Sequence, residues 1–474
     1  MESTPVASGA PLPASQSWFT TIRNALAGAQ YDYTSGSINR GIAMLAIPMI
    51  LEMVMESTFA VVDVYFVGRL GSAAVAAVGL TESILTMLYA VAIGLSMSVT
   101  ATVARRIGEH DPHGAAVSAV QAVGLGICVS AVIGLGGGAG ARALLGWMGA
   151  SSEVLESGSA YAAILLGSNV VIVLLFINNA IFRGAGDAAL AMRSLWLANG
   201  INIVLDPCLI FGWGPFPELG LTGAAVATTI GRGTGVLYQL WALGRGTGRV
   251  RLAGHWHVDL GAMWKLVRIS LGGIGQFLIA TASWVALVRI VAPFGDAAVA
   301  GYTIAVRILI FTILPSWGLS NAAATLTGQN LGAGQPDRAA RCVWRTGLYN
   351  MLFLGLVAVV MITIPGTLIR VFTDEPEVIE VGVLCLRIIS YGYLAYAWGM
   401  VMVQAFNGAG DTVTPTWINF VSFWLVEIPL AYTLARGADW GPAGVFWAIA
   451  VAESLCAVIA ILVFRRGTWR TRTV

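Results

Sequence analysis

From residue 38 onward, long apolar runs alternate with short polar clusters along the chain. About 20 consecutive apolar residues are needed to cross the hydrocarbon core of a bilayer. Twelve runs reach that length, roughly 40–66, 74–103, 115–140, 158–181, 190–212, 219–243, 264–292, 298–326, 341–366, 380–405, 414–434 and 442–464. The breaks fall at Gly, Pro and charge clusters such as GEHDPHG, RGAGD, GWGPFPELG, DEPE and NGAGDTVTP. The pattern predicts an all-α polytopic membrane protein with twelve transmembrane helices.

The pattern also repeats. GSAAVAA at Gly71 recurs as GDAAVAG at Gly295, an offset of 224. GLS at Gly94 and Gly318, Pro112 and Pro336, and the EVxExG stretches from Glu153 and Glu377 keep that offset. So do FRGAGD, ending at Asp187, and FNGAGD, ending at Asp411. Each unit holds six spans, an even number, so both enter the membrane the same way round. This predicts two six-helix lobes related by a pseudo-twofold axis along the membrane normal, with sites near the midplane and alternating access as the motion.

Composition agrees with the pattern. The 474 residues are 57% hydrophobic and 11% charged, against about a quarter charged in ordinary soluble domains. The mean hydropathy is +0.80. Placing the amino terminus inside puts 18 Lys and Arg residues in inside segments and 4 in outside loops. That bias predicts cytoplasmic termini. The expected division is a tail at 1–37, an amino-terminal lobe at 38–243, a polar linker at 244–263, a carboxyl-terminal lobe at 264–464 and a tail at 465–474. The first tail opens Pro/Ser-rich and carries a weakly amphipathic piece near Trp18–Ala29. Five cysteines stand singly, so free thiols are expected. His110, His113, His255 and His257 fall in polar loops, where no third metal ligand joins the HWH triplet.

Ionisable groups at membrane depth default to functional hypotheses. Span 1 holds Glu52, Glu56 and Asp63 near one helical face; span 2 holds Glu82, span 5 Asp206 and span 6 Arg232. Asn202 and Asp206 share a face, and Pro207 then removes a backbone donor beside them. The spacing points to a carboxylate pair, Asp63 with Asp206, drawn from different helices. Two acids facing each other in a low dielectric hold a proton or a cation between them. The alternative is a structural ion pair, for instance Asp206 with Arg232. The second lobe does not repeat this set: the residue 224 after Asp63 is Leu287. It offers Gln276, Arg289, Arg307, Arg387, Glu427 and Glu453 instead, and ion pairing among the Arg and Glu residues is expected there. Nucleotide, zinc-hydrolase and nucleophile–base signatures are absent from the sequence, so an enzyme is not expected.

Residues 307–339, RILIFTILPSWGLSNAAATLTGQNLGAGQPDRA, resemble the span 8 to span 9 signature of the MATE (multidrug and toxic compound extrusion) transporters. VDVYFVGRLGSAAVAAVGL at 62–80, FRGAGD at 182–187 and INIVLDP at 201–207 agree in the first half. The resemblance covers about 38–465 and is nearest the DinF-like branch, with its amino-lobe Asp pair. It implies an antiporter of the plasma (inner) membrane that exports organic cations or amphipathic compounds against Na⁺ or H⁺. It implies no other cofactor, no nucleic acid, a lipid environment and a monomer. Asp63, Asn202 and Asp206 match that branch's coupling residues, where Na⁺ would also bind. Tyr161, Asn179 and Thr228 match its accompanying Tyr, Asn and Thr. Glu56, Gln276, Arg307 and Glu427 remain as cavity or secondary charges. In the other main branch a span 7 Glu and a span 10 Asp dominate, and here span 7 offers Gln276. A flippase for a lipid-linked substrate is the second expectation, with Arg289, Arg307 and Arg387 lining a cationic cavity.

Overall fold

The computed structural model describes residues 17–474; most of the Pro/Ser-rich opening stretch lies outside the described residues. The described chain is helical, with no strand. Spans 1 to 3 are Ile38–Gly68, Ser72–Gly108 and Pro112–Trp147. Span 4 is broken into Ser152–Gly167 and Asn169–Ala185; spans 5 and 6 are Ala188–Phe211 and Leu221–Arg245. Spans 7 to 9 are Leu260–Val291, Asp296–Gly332 and Pro336–Thr363. Span 10 is broken into Pro376–Tyr391 and Tyr393–Gly408; spans 11 and 12 are Val413–Gly437 and Pro442–Arg466.

Among the described residues, nine helices are long and apolar enough to cross a membrane, and the two bent pairs bring the number to eleven. Span 6 is equally long but carries buried Arg232 and Gln239, which lower its apolarity. The bent pairs sit at equivalent places. Span 4 turns by 42° at Ser168 and span 10 by 58° at Gly392, 224 residues further on. Span 11 winds as a π-helix over Phe420–Glu427 and again over Thr433–Gly437, a departure the apolar pattern does not encode. Ahead of span 1, the helix Trp18–Ala27 is capped by the Ser17 hydroxyl, which accepts from the Phe19 N–H. Trp18 and Phe19 are exposed while Thr21 and Ala25 are buried, the division expected of a helix lying along a surface.

Each lobe has its own apolar core. A further cluster, including Tyr33, Leu45, Met49, Leu319 and Leu326, joins the lobes at the end that carries the termini. Small residues allow this approach. A Cβ at Gly332 would lie 2.2 Å from the Arg105 carbonyl oxygen, and one at Gly318 would lie 2.5 Å from that of Met49. The Thr325 hydroxyl and the Gln329 amide donate across the joint to the carbonyls of Arg183 and Gly184, at 3.0 and 2.9 Å. The second half of span 1 carries exposed Val61, Val64 and Tyr65, while its first half is largely buried.

Candidate functional site

Span 1 carries its three acids in tiers along the interior of the first lobe. Glu52 is fully buried and forms an ion pair with Arg183, at the end of span 4. Asn179 donates to the same Glu52 oxygen at 2.9 Å, and its own carbonyl oxygen accepts from Gln239 at 2.7 Å. One turn on, Glu56 pairs with Arg232 at 3.4 Å and accepts from Asn199 at 2.9 Å. The Arg232 guanidinium also lies over the Phe59 ring, 5.8 Å from its centroid.

Asp63 lies two turns further along. It is in coulombic range of Asp206, Glu82 and Arg232, but the ion pair of Arg232 is with Glu56. Asp206 is fully buried. Among the described residues no ion pair involves Asp63, Asp206 or Glu82, and the alternative of an Asp206–Arg232 pair is not formed. Asn202 sits between Asp206 and Thr228. An Asn amide is oriented by its hydrogen bonds. The orientation that satisfies both neighbours points its nitrogen at Asp206, 2.8 Å from Oδ2 and 3.2 Å from Oδ1. Its oxygen then accepts from the Thr228 hydroxyl and backbone N–H, each at 3.0 Å. Tyr161, buried on span 4, is in coulombic range of Asp63, Glu82 and Asp206.

The fold therefore gathers Asp63, Asp206, Asn202, Thr228 and Tyr161 in one place. It places Asn179 elsewhere, in the Glu52 tier. Gln276 is not among the residues that line the cavity between the lobes; its amide donates to Asn407 and to the Thr412 carbonyl, both at 3.0 Å. Arg307 lies in coulombic range of Glu82, across the lobes. The Arg–Glu pairing expected in the second lobe is absent among the described residues: Arg289, Arg307, Arg387, Glu427 and Glu453 form no ion pair. The reason is placement, since the two glutamates face Tyr, Ser and Cys side chains inside the lobe. Arg183, Asn199 and Gln239 were not singled out by the sequence, although Arg183 stands inside FRGAGD.

Between the lobes lies a cavity of about 190 Å³. Glu52, Glu56, Arg183 and Arg232 line it from the first lobe, and Trp317, Asn321, Gln404 and Asn407 from the second. The five cysteines are free. No group of three or more His, Cys, Asp or Glu converges as a metal site among the described residues. An alkali ion near Asp206 would rely on the carboxylates and on amide and hydroxyl oxygens.

A two-lobed helical bundle with buried carboxylates and a cavity between the lobes defines a multi-pass membrane transporter. Residues 48–208 and 274–433 each match the MatE family, one match per lobe. The chain belongs to the MATE family. It is 26% identical to the probable multidrug resistance protein NorM of Thermotoga maritima, covering 92% of this chain and 94% of that one. It is 25% identical to the FAD transporter of Shewanella oneidensis, covering 91% and 95%. A solved outward-facing MATE multidrug resistance transporter of the MOP superfamily superposes with a TM-score of 0.87 at 25% identity, over 93% of this chain and 98% of that one.

Proposed function

We propose that this transporter is a secondary antiporter, exporting organic cations or amphipathic compounds in exchange for H⁺ or Na⁺ at Asp63 and Asp206. One observation carries the reading. Glu52 and Glu56 each hold an arginine, whereas Asp63 and the fully buried Asp206 have each other and no ion-pair partner. Two neighbouring anions in a low dielectric repel strongly, so a proton or a sodium ion binds between them and relieves the repulsion. Asn202 and Thr228 orient Asp206, and Tyr161 completes the polar wall. Occupancy then decides which arrangement of the lobes is stable, and substrate release on one side is linked to ion entry from that side.

This reading places the chain in the DinF-like branch, acting as a monomer in the inner membrane with both termini in the cytoplasm. The joint between the lobes is then the cytoplasmic seal, and the cavity faces outward. The substrate meets a wall whose charges are paired, Glu52 with Arg183 and Glu56 with Arg232, and the aromatic face of Trp317, which suits a cation with an apolar body. A flippase for an anionic lipid-linked substrate is not favoured. Arg289, Arg307 and Arg387 do not line this cavity, and the two arginines that do are paired with glutamates.

The test is efflux of a fluorescent organic cation from proteoliposomes under an imposed proton or Na⁺ gradient. Wild type is expected to transport under one of them, and Asp206→Asn to fall to the level of empty vesicles while staying folded and inserted. Coupled efflux of normal rate in that variant sinks the proposal.

A further inference from the structure

The second lobe holds a carboxylate pair that the reading above does not use. Glu427, on span 11, is 4% exposed, and its Oε2 has no hydrogen-bond partner. Glu453, on span 12, lies in coulombic range of it. The groups that face the pair are Ser283 of span 7, Tyr302 of span 8, Tyr396 of span 10 and Cys456 of span 12. None is a cation. The Tyr302 hydroxyl, 2% exposed, is a second buried group there without a hydrogen-bond partner. Beside Glu453, Gly392, Tyr393 and Tyr396 wall a cavity of about 20 Å³. About 10–15 Å³ is enough for one water, so this space admits a single water or hydronium and nothing the size of a substrate.

The internal repeat explains why a site stands here. In the first lobe, span 4 breaks at Ser168, whose hydroxyl bonds to Thr229 of span 6 at 2.9 Å. In the second, span 10 breaks at Gly392, and 224 residues after Thr229 stands Glu453. Asp206 immediately precedes Pro207 in span 5; Glu427 stands two residues before Pro429 in span 11. The second lobe thus sets an acid from its fifth helix against an acid from its sixth, beside the break. The π-helical winding of Phe420–Glu427 ends on Glu427, and such windings recur at functional positions.

We infer that Glu427 and Glu453 form a second proton-binding site, one proton being held between the two carboxylates. Two adjacent anions without a basic partner are not sustained in this interior, and one bound proton leaves a single shared charge. The oxygen supply favours a proton over a metal cation, since two carboxylates and tyrosine hydroxyls make a sparse shell.

Proton binding here stands independently of antiport, and the experiment keeps the two apart. Infrared difference spectra between acidic and alkaline buffer are recorded on the purified chain in lipid nanodiscs. Asp63→Asn with Asp206→Asn forms the background. That background is expected to retain a carbonyl band of a protonated, buried carboxyl group. Adding Glu427→Gln, or Glu453→Gln, is expected to remove the band. If the Glu427→Gln protein does not fold, Glu453→Gln decides, because Glu453 is only partly buried beside its cavity. A background without the band, or a band that survives the substitution in a folded protein, overturns the inference. Loss of the band on adding Na⁺ at constant pH overturns the choice of a proton. Efflux absent under every gradient would refute the antiport reading and leave these spectra unchanged.

Discussion

Where the first lobe buries an ion pair, the second buries a pair of amides. Glu52 and Arg183 tie span 1 to the end of span 4; Gln276 and Asn407, each 224 residues later, tie span 7 to the end of span 10. The amides satisfy each other, Gln276 donating to Asn407 at 3.0 Å and Asn407 donating back at 3.2 Å. The charged pair is less complete: Glu52 Oε2 and Arg183 Nε are buried without a hydrogen-bond partner. An uncharged pair therefore suffices to hold this corner of the fold. The charges in the first lobe go beyond what the architecture requires, and both border the cavity between the lobes. The same contrast recurs at Asp63, whose counterpart Leu287 is part of the second lobe's apolar core. At these corresponding positions one backbone plan thus carries charge in one half and neutral side chains in the other.

The largest effect should come from breaking the charged pair. Arg183→Asn alone leaves Glu52 buried without its cation, a loss of about 3–5 kcal/mol. Glu52→Gln together with Arg183→Asn rebuilds the amide pair of the second lobe, and its stability should return to near that of wild type. Denaturant unfolding in detergent measures both. A double variant as unstable as the single one would mean that the two corners are not equivalent.

A smaller loss is expected from the matching cut in the other lobe. Gln276→Leu removes the amide that pairs with Asn407 and leaves the Asn407 oxygen unpaired. The cost of such an orphaned neutral group is about 1–3 kcal/mol. Asn407 keeps its bond to Gln404 at 3.2 Å, which limits the damage. The comparison requires Gln276→Leu to destabilise less than Arg183→Asn, and the reverse order would break it.

The apolar runs and the fixed offset made the helical class, the twelve segments and the two-lobed plan legible, because bilayer thickness and repetition leave direct marks on sequence. Asp206 with Asn202 one turn earlier was legible for the same kind of reason, four residues placing side chains on one helical face. Partner choice was not. Arg232 lies in coulombic range of both Glu56 and Asp63, and which one it pairs with depends on side-chain placement across helices. Asn179 joins Glu52 because the break in span 4 redirects the second half of that helix, and Gly167 at that bend is one of 57 glycines in the chain, so it does not by itself announce a break. The π-helical turns of span 11 were equally silent, since they change hydrogen bonding without changing apolarity.

The smallest expected effect concerns the turn that joins the two halves ahead of span 1. The Tyr33 hydroxyl donates to the Gly186 carbonyl of the first lobe at 3.1 Å. The Tyr33 carbonyl accepts from Asn330 and Arg338 of the second lobe, each at 3.3 Å. Asp32 holds this turn, accepting from the Thr34 N–H at 2.8 Å, from its hydroxyl at 2.6 Å and from Ser35. Burial pushes the Asp32 carboxyl up, but the bonds from Ser35 and Thr34 outweigh it and hold it at about 2, below the ordinary 3.8. A carboxyl held low stabilises the fold fully above its ordinary value, and that support is lost as pH falls through the low one. Protection of the Thr34 amide from hydrogen exchange, corrected for the intrinsic rate, should therefore be constant at neutral pH and fall between 3.8 and about 2. Asp32→Ala should remove that pH dependence and lower protection at all pH values. A turn whose protection ignores both changes is held by the lobes on either side, and Tyr33 alone then makes the bridge.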